Sequence, residues 1–178
     1  VASPIGGNDL RDFDIITSSQ WYATEGRWRR GSVEFEARAD EITFLDRAGQ
    51  VINADAQGAG WHPDGPVICH KRIQPDERFY GLGERTSGLD HRGGAFETWN
   101  SDPQTYEVGQ DPIYLCIPFL LGLHSGGEQG YGIFFDNAFR GRFDLGARDP
   151  EVASFGARGG ALCYTFIYGP ALTSVLER

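Results

Sequence analysis

Lysine is almost missing from this chain. Lys71 is the only one in 178 residues, methionine is absent, and 16 basic against 25 acidic residues leave a formal net charge of −9. So few cations make a poor partner for nucleic acid or an anionic membrane, since phosphate contacts draw on clustered Lys and Arg. The one basic cluster, Arg27, Arg29 and Arg30, reads as a solvated turn. Cysteine is scarce too. Cys69, Cys116 and Cys163 stand far apart, in neither a CxxC pair nor a zinc spacing. A metal centre, a disulfide framework and a cofactor are therefore not expected. Cys116 and Cys163 fall in apolar strand patterns, where a free thiol packs as a small hydrophobe. An odd number of thiols agrees with a reducing cytoplasm. The four histidines, His62, His70, His91 and His124, share no ligand spacing and read as loop residues. No apolar run approaches the roughly 20 residues that span a bilayer. No leader peptide is visible, although the chain opens at Val1 rather than Met.

What is present is aromatic and turn-rich. Phe, Tyr and Trp number 12, 7 and 4, beside 25 Gly and 9 Pro. Such a mixture favours short strands joined by turns, in one domain. Trp21 and Trp28 are placed to cap one end of a core. Val33, Phe35 and Ala37 alternate with Glu34, Glu36 and Arg38, the period of a half-buried strand. Glu41 to Asp46 forms the next strand, and Arg47-Ala48-Gly49 turns it into Val51-Ile52. Residues 56–65 read as loop, and Val67 to Ile73 as strand. Phe79 to Glu84 reads as a strand whose glycines admit another backbone closely. Thr86 to Thr98 reads as loop. Tyr114 to Leu123 is a nearly continuous apolar run, read as a strand buried on both faces, with Pro118 marking a bulge or an edge. Tyr131 to Phe135, Arg140 to Leu145 and Ala161 to Tyr168 follow. The total is roughly ten to twelve strands, the spacing of an all-β antiparallel β-sandwich. Helical signal comes only at the end, where Pro170 precedes Leu172, Val175 and Leu176.

Three motifs bear on chemistry. Gly81 and Gly83 lack the third glycine and following helix of a phosphate-binding loop, so they read as a packing device. Trp99-Asn100-Ser101-Asp102-Pro103 combines an aromatic face with a carboxylate in a long polar loop. Aromatic faces stack on sugar rings and carboxylates accept from adjacent hydroxyls. The plainer alternative is that Trp99 packs and Asp102 shapes a turn before Pro103. His91 shares the long loop and is a further candidate for ligand contact. Asp111 reads as a turn former. Asp136 and Asn137 with Arg140, Arg142 and Asp144 read as an ion-paired hairpin or an interdomain contact. A retaining glycosidase needs two carboxyls about 5 Å apart, one with a raised pKa. Spacing singles out no such pair among Glu84, Asp90, Asp102, Asp111 and Asp136.

Phe79-Tyr80-Gly81-Leu82-Gly83-Glu84, Trp99-Asn100-Ser101-Asp102, Asp111-Pro112-Ile113-Tyr114 with Ile117-Pro118-Phe119, Tyr131 to Asn137, Phe143-Asp144-Leu145-Gly146 and Tyr168-Gly169-Pro170 occur in that order. The series resembles the N-terminal β-domain of glycoside hydrolase family 31, the α-glucosidase and α-xylosidase family. The resemblance implies a galactose-mutarotase-like supersandwich over residues 1–170. It implies that residues 171–178 begin the connection to a catalytic (β/α)8 barrel. The catalytic carboxylates would sit on that barrel, so the chain alone would be inactive. Asp102 matches the acidic position of the loop that reaches the substrate, an α-glucoside or α-linked oligosaccharide, with Trp99 and Asn100 flanking it. Two other readings compete: a free-standing carbohydrate-binding module, and a mutarotase-like enzyme with a histidine and a carboxylate on one sheet face.

Overall fold

A computed structural model describes residues 15–17, 25–38, 41–60 and 65–177. Trp21 and His62 lie outside them. Thirteen strands are described: β1 (Ile15–Thr17), β2 (Gly26–Arg30), β3 (Val33–Arg38), β4 (Glu41–Leu45), β5 (Val51–Gly60), β6 (Val67–Arg72), β7 (Arg78–Gly83), β8 (Ala95–Thr98), β9 (Cys116–His124), β10 (Gln129–Phe135), β11 (Gly141–Leu145), β12 (Val152–Ala157) and β13 (Tyr164–Gly169). One short helix, α1 (Leu172–Leu176), follows. A five-stranded sheet runs β1-β13-β10-β9-β7, and an eight-stranded sheet runs β2-β3-β4-β5-β6-β12-β11-β8. Every pairing is antiparallel. The fold is the all-β antiparallel sandwich that the strand spacing implies.

Aromatic rings join the two sheets. Phe44 of β4 stacks on Phe166 of β13 at 3.8 Å between centroids, and Phe166 stacks on Tyr131 of β10. Phe155 of β12 meets Tyr164 edge-on at 5.2 Å. Such pairs add about 0.5–1.5 kcal/mol each beyond the area they bury. The single lysine lies inside this core. Lys71 Nζ is 2.5 Å from Asp55 Oδ1, donates to Tyr164 Oη at 2.9 Å, and stands over the Phe44 and Tyr164 rings. Burial is the largest single influence and pushes its pKa down, but the Asp55 carboxylate together with Cys69 and Tyr164 outweighs it and holds the pKa above the ordinary lysine range. Lys71 therefore stays protonated inside the sandwich.

Several local readings change. Residues 56–65 are not all loop: β5 continues to Gly60, with register shifts against β6 that absorb the irregular stretch. Thr86 to Thr98 contains β8, and β12, which buries Ala153, Phe155 and Ala157 at alternate positions, completes the larger sheet. Arg27 and Arg29 are on strand β2, not in a turn, and both pair with Glu34 of β3. His70 and His124 lie on strands. The apolar run of β9 is buried on one face only; Tyr114, Leu115 and Ile117 are exposed. The marker at Pro118 holds, since β7 pairs Gly81 with Leu120 but Gly83 with Cys116, a bulge at the proline.

Candidate functional site

The segment from Glu84 to Leu115 leaves the end of β7, contributes β8, and returns to start β9. Its departure depends on Gly81 and Gly83, both at positive φ. A Cβ on Gly81 would lie 2.5 Å from the Phe119 carbonyl oxygen. The sequence motif is thus a close backbone approach, with no helix behind it to bind phosphate.

A buried ion pair closes the segment on itself. Arg85 Nη1 donates to Asp111 Oδ1 at 2.5 Å, and Asp111 Oδ2 accepts from the Glu97 backbone N–H at 2.5 Å. The second Arg85 Nη donates to the Glu97 carbonyl at 3.1 Å, and its guanidinium lies over the Phe96 ring. Asp111 is therefore the anchor between both ends of the segment and β8, rather than a local turn former. The Arg85 side chain is 4% exposed, so removing either partner would leave an uncompensated buried charge.

The anchor holds the Trp99–Pro103 stretch out from the sheet. Asn100 Oδ1 accepts from the Cys116 N–H at 2.7 Å. Ser101 donates through Oγ to the Pro112 carbonyl and through its N–H to the Ile113 carbonyl. Tyr114 Oη donates to the Pro103 carbonyl at 2.9 Å. Asp102 thus stands between two tethered neighbours. Its own side chain is exposed and makes no hydrogen bond among the described residues. Trp99 is half-exposed, with the Arg140 guanidinium 5.9 Å over its ring. Arg140 is held in turn by Glu97, its Nε donating at 2.8 Å. A cation over an indole face restricts the ring's orientation. Trp99 and Asn100 border a cavity of about 360 Å³ with Cys116, Pro118, Asn137 and Phe139; Asp102 is not part of its lining.

His91 is placed differently. It is buried, its Nε2 shares a hydrogen bond with the Gly81 carbonyl at 3.1 Å, and its ring packs on Phe96. Burial pushes its pKa down. It braces the glycine turn from below, apart from Trp99, Asn100 and Asp102. Arg92 next to it donates to the carbonyls of Gln74, Pro75 and Glu77.

Among the carboxyls weighed for catalysis, Asp90 pairs with Arg78 and Asp111 with Arg85. The carboxyl pushed up toward neutrality is Glu77, to about 7, through burial. It was not a sequence candidate and is enclosed beside Tyr131. Sequence reasoning also missed Arg85 and Glu97, and placed Arg140 only in an ion-paired hairpin or interdomain contact, whereas its partner is Glu97 of β8. The one available signal was Arg85 directly after the glycine motif, and its partner lies 26 residues on. Among the described residues no three His, Cys, Asp or Glu side chains gather as a metal site, and no helix is long and apolar enough to cross a membrane.

Comparison with known proteins places this geometry. The family profile for the glycosyl hydrolase 31 N-terminal galactose mutarotase-like domain matches residues 14–144. An α-glucosidase of Bacillus thermoamyloliquefaciens is 33% identical over 151 residues, which are 83% of this chain and 19% of the relative. An α-xylosidase of Lactiplantibacillus pentosus is 37% identical over 103 residues, 58% of this chain and 12% of that protein. A family 31 dextranase of Flavobacterium johnsoniae, solved with glucose, superposes with a TM-score of 0.71 at 27% identity, over 86% of this chain and 20% of the dextranase. The chain thus spans about a fifth or less of the length of these relatives.

Proposed function

The chain belongs to the glycosyl hydrolase 31 N-terminal galactose mutarotase-like domain family, and on that footing we propose that it is the accessory domain of an α-glucoside-acting hydrolase. Its catalytic barrel would come from the remainder of a longer protein. The domain would occupy residues 1–170, with 171–178 opening the connection. The observation that carries this reading is the loop around Asp102. Its neighbours are tethered on both sides, while its carboxylate is left exposed with no hydrogen bond among the described residues. Such a group holds its acceptor oxygens ready for substrate hydroxyls, at little cost in ordering. Trp99 would offer a ring face, and Asn100 would fix the loop through Cys116. His91 would act beneath the loop, as a positioning residue.

The apolar side chains left exposed, Tyr114, Leu115, Ile117, Phe134 and Phe139, support a face that the barrel covers. Three free thiols agree with a cytoplasmic location. The α-linked oligosaccharide would then be gripped by the loop and cleaved by carboxylates elsewhere.

The test is release of p-nitrophenol from the α-glucoside and the α-xyloside, with this chain alone and with the chain extended by the sequence that follows it in its gene. Activity only in the extended protein is expected, and the preferred glycoside identifies the sugar. Turnover by this chain alone would place the catalytic carboxylates within it and sink the proposal.

A further inference from the structure

The larger sheet carries a second groove, on the side away from the core. Period-two alternation along β11 sends Phe143 and Leu145 inward, and Arg142 and Asp144 outward with Arg140 just ahead of them. Across the ladder, Arg142 faces Gly156 and Asp144 faces Ser154, while Arg158 donates its N–H to the Arg140 carbonyl. On the other flank Arg142 is opposite Glu97 of β8. Arg148 reaches back to Asp144. Together these residues wall a groove of about 430 Å³ whose floor at Gly141 and Gly156 has no side chains. That volume lies within the usual range for small-molecule sites.

The charges are unbalanced. Four guanidiniums meet two carboxylates, in a chain whose net charge is −9. Glu97 is committed to Arg140, and Asp144 is 3.6 Å from Arg148. Arg142 and Arg158 have no carboxylate partner among the described residues. Like charges gathered on one sheet face repel, and guanidinium forks match oxyanions bidentately. Asp144 adds a different demand. It is 5% exposed, Oδ1 accepts from the N–H groups of Ala147 and Arg148, and Oδ2 is buried, 3.6 Å from Arg148 Nε and without a hydrogen bond. A buried acceptor in that condition calls for a donor, which a fully deprotonated oxyanion would not supply.

We propose that this groove binds a monosaccharide carrying an oxyanion, a sugar phosphate or a sugar acid. Arg142 and Arg158 take the oxyanion, and Asp144 Oδ2 accepts from a ring hydroxyl. Arg142, Arg158 and Asp144 make no contact with the loop around Asp102, although the groove's wall shares Glu97 and Arg140 with the support of Trp99.

Isothermal titration of the chain with glucose 6-phosphate, glucuronate, glucose and inorganic phosphate tests the assignment. One of the two charged sugars should bind about tenfold or more tighter than glucose and than phosphate, and which one binds identifies the oxyanion. Arg142→Gln and Arg158→Gln, both exposed, should each weaken that binding about ten- to a hundredfold, the loss typical of one charged hydrogen bond. Asp144→Asn should weaken the charged sugar and leave phosphate unchanged. Glu128→Gln, exposed and outside both cavities, should leave every titration as it was. No binding of either charged sugar at millimolar concentration would overturn the proposal. So would phosphate binding as tightly as the sugar phosphate, or an Arg142→Gln chain that binds like the parent.

Discussion

Glu77 makes the sandwich's stability depend on pH in a direction opposite to that of most carboxyls. Its side chain is enclosed by β7, β10 and the turn before β7. Tyr131 Oη donates to Oε1 at 2.5 Å, and the Gln74 N–H donates to Oε2 at 2.7 Å. Those bonds and nearby Arg92 favour the ionised form, but burial outweighs them and pushes the pKa from 4.5 to about 7. Between those values the folded chain holds a proton that the unfolded chain has released. Stability from this group is therefore fully present below 4.5 and is lost as pH rises through about 7. From pH 5 to pH 8 the loss is roughly 2–3 kcal/mol. His70 and His91, whose pKa values burial lowers, act the other way, adding stability as pH climbs toward their unfolded values. The lowered carboxyls Asp76 and Asp90 exert their effect only at or below about pH 4. The wild-type profile is a composite, and Glu77→Gln isolates the one group. Glutamine keeps an acceptor for Gln74 and carries no charge. Thermal unfolding of both chains from pH 5 to pH 8 should show the variant gaining on the wild type by roughly 2–3 kcal/mol, or about 5–10 °C in Tm. Two profiles that stay parallel over that range would refute the argument.

Other expectations follow from the same geometry. Lys71→Met leaves the Asp55 carboxylate buried without its cation and should cost about 3–5 kcal/mol in denaturant unfolding. Adding Asp55→Asn should recover part of that loss; strict additivity would mean the pair is uncoupled. Gly81→Ala and Gly49→Ala both force a side chain to positive φ, costing about 1–2 kcal/mol. Only Gly81 also meets a backbone carbonyl, whereas nothing lies within 4 Å of a Cβ at Gly49. The first variant should therefore lose about 1–3 kcal/mol more, and equal losses would discount the close approach. In the extended enzyme, Asp102→Ala should lower kcat/KM on α-glucosides about ten- to a hundredfold with the fold intact by circular dichroism. Unchanged kinetics on every glycoside would remove Asp102 from the substrate.

The division between what was legible and what was not follows the range of the interactions. Alternation along Val33 to Ala37 and the Pro-marked break in β9 are properties of neighbouring residues, so the strands and the Gly81–Gly83 device could be read directly. Strand β8 could not, because four residues without strong alternation become a strand only when β11 offers them a ladder. The two-sided burial expected of β9 failed for a related reason. An apolar run states how much surface must be covered, and the number of covering layers depends on what packs against it.

The sequence by itself determined the class of fold, the order of most of its elements and the family to which the chain belongs, since periodicity, turn residues and ordered motifs are local. Only the tertiary structure decided which charged and polar groups are partners. Arg85 meets Asp111 across 26 residues and Lys71 meets Tyr164 across 93. Nothing in the residues between them encodes those meetings. They exist because two sheets close on each other, and burial then turns otherwise ordinary side chains into the fixed ion pair that holds out the loop and the shifted carboxyl that follows pH.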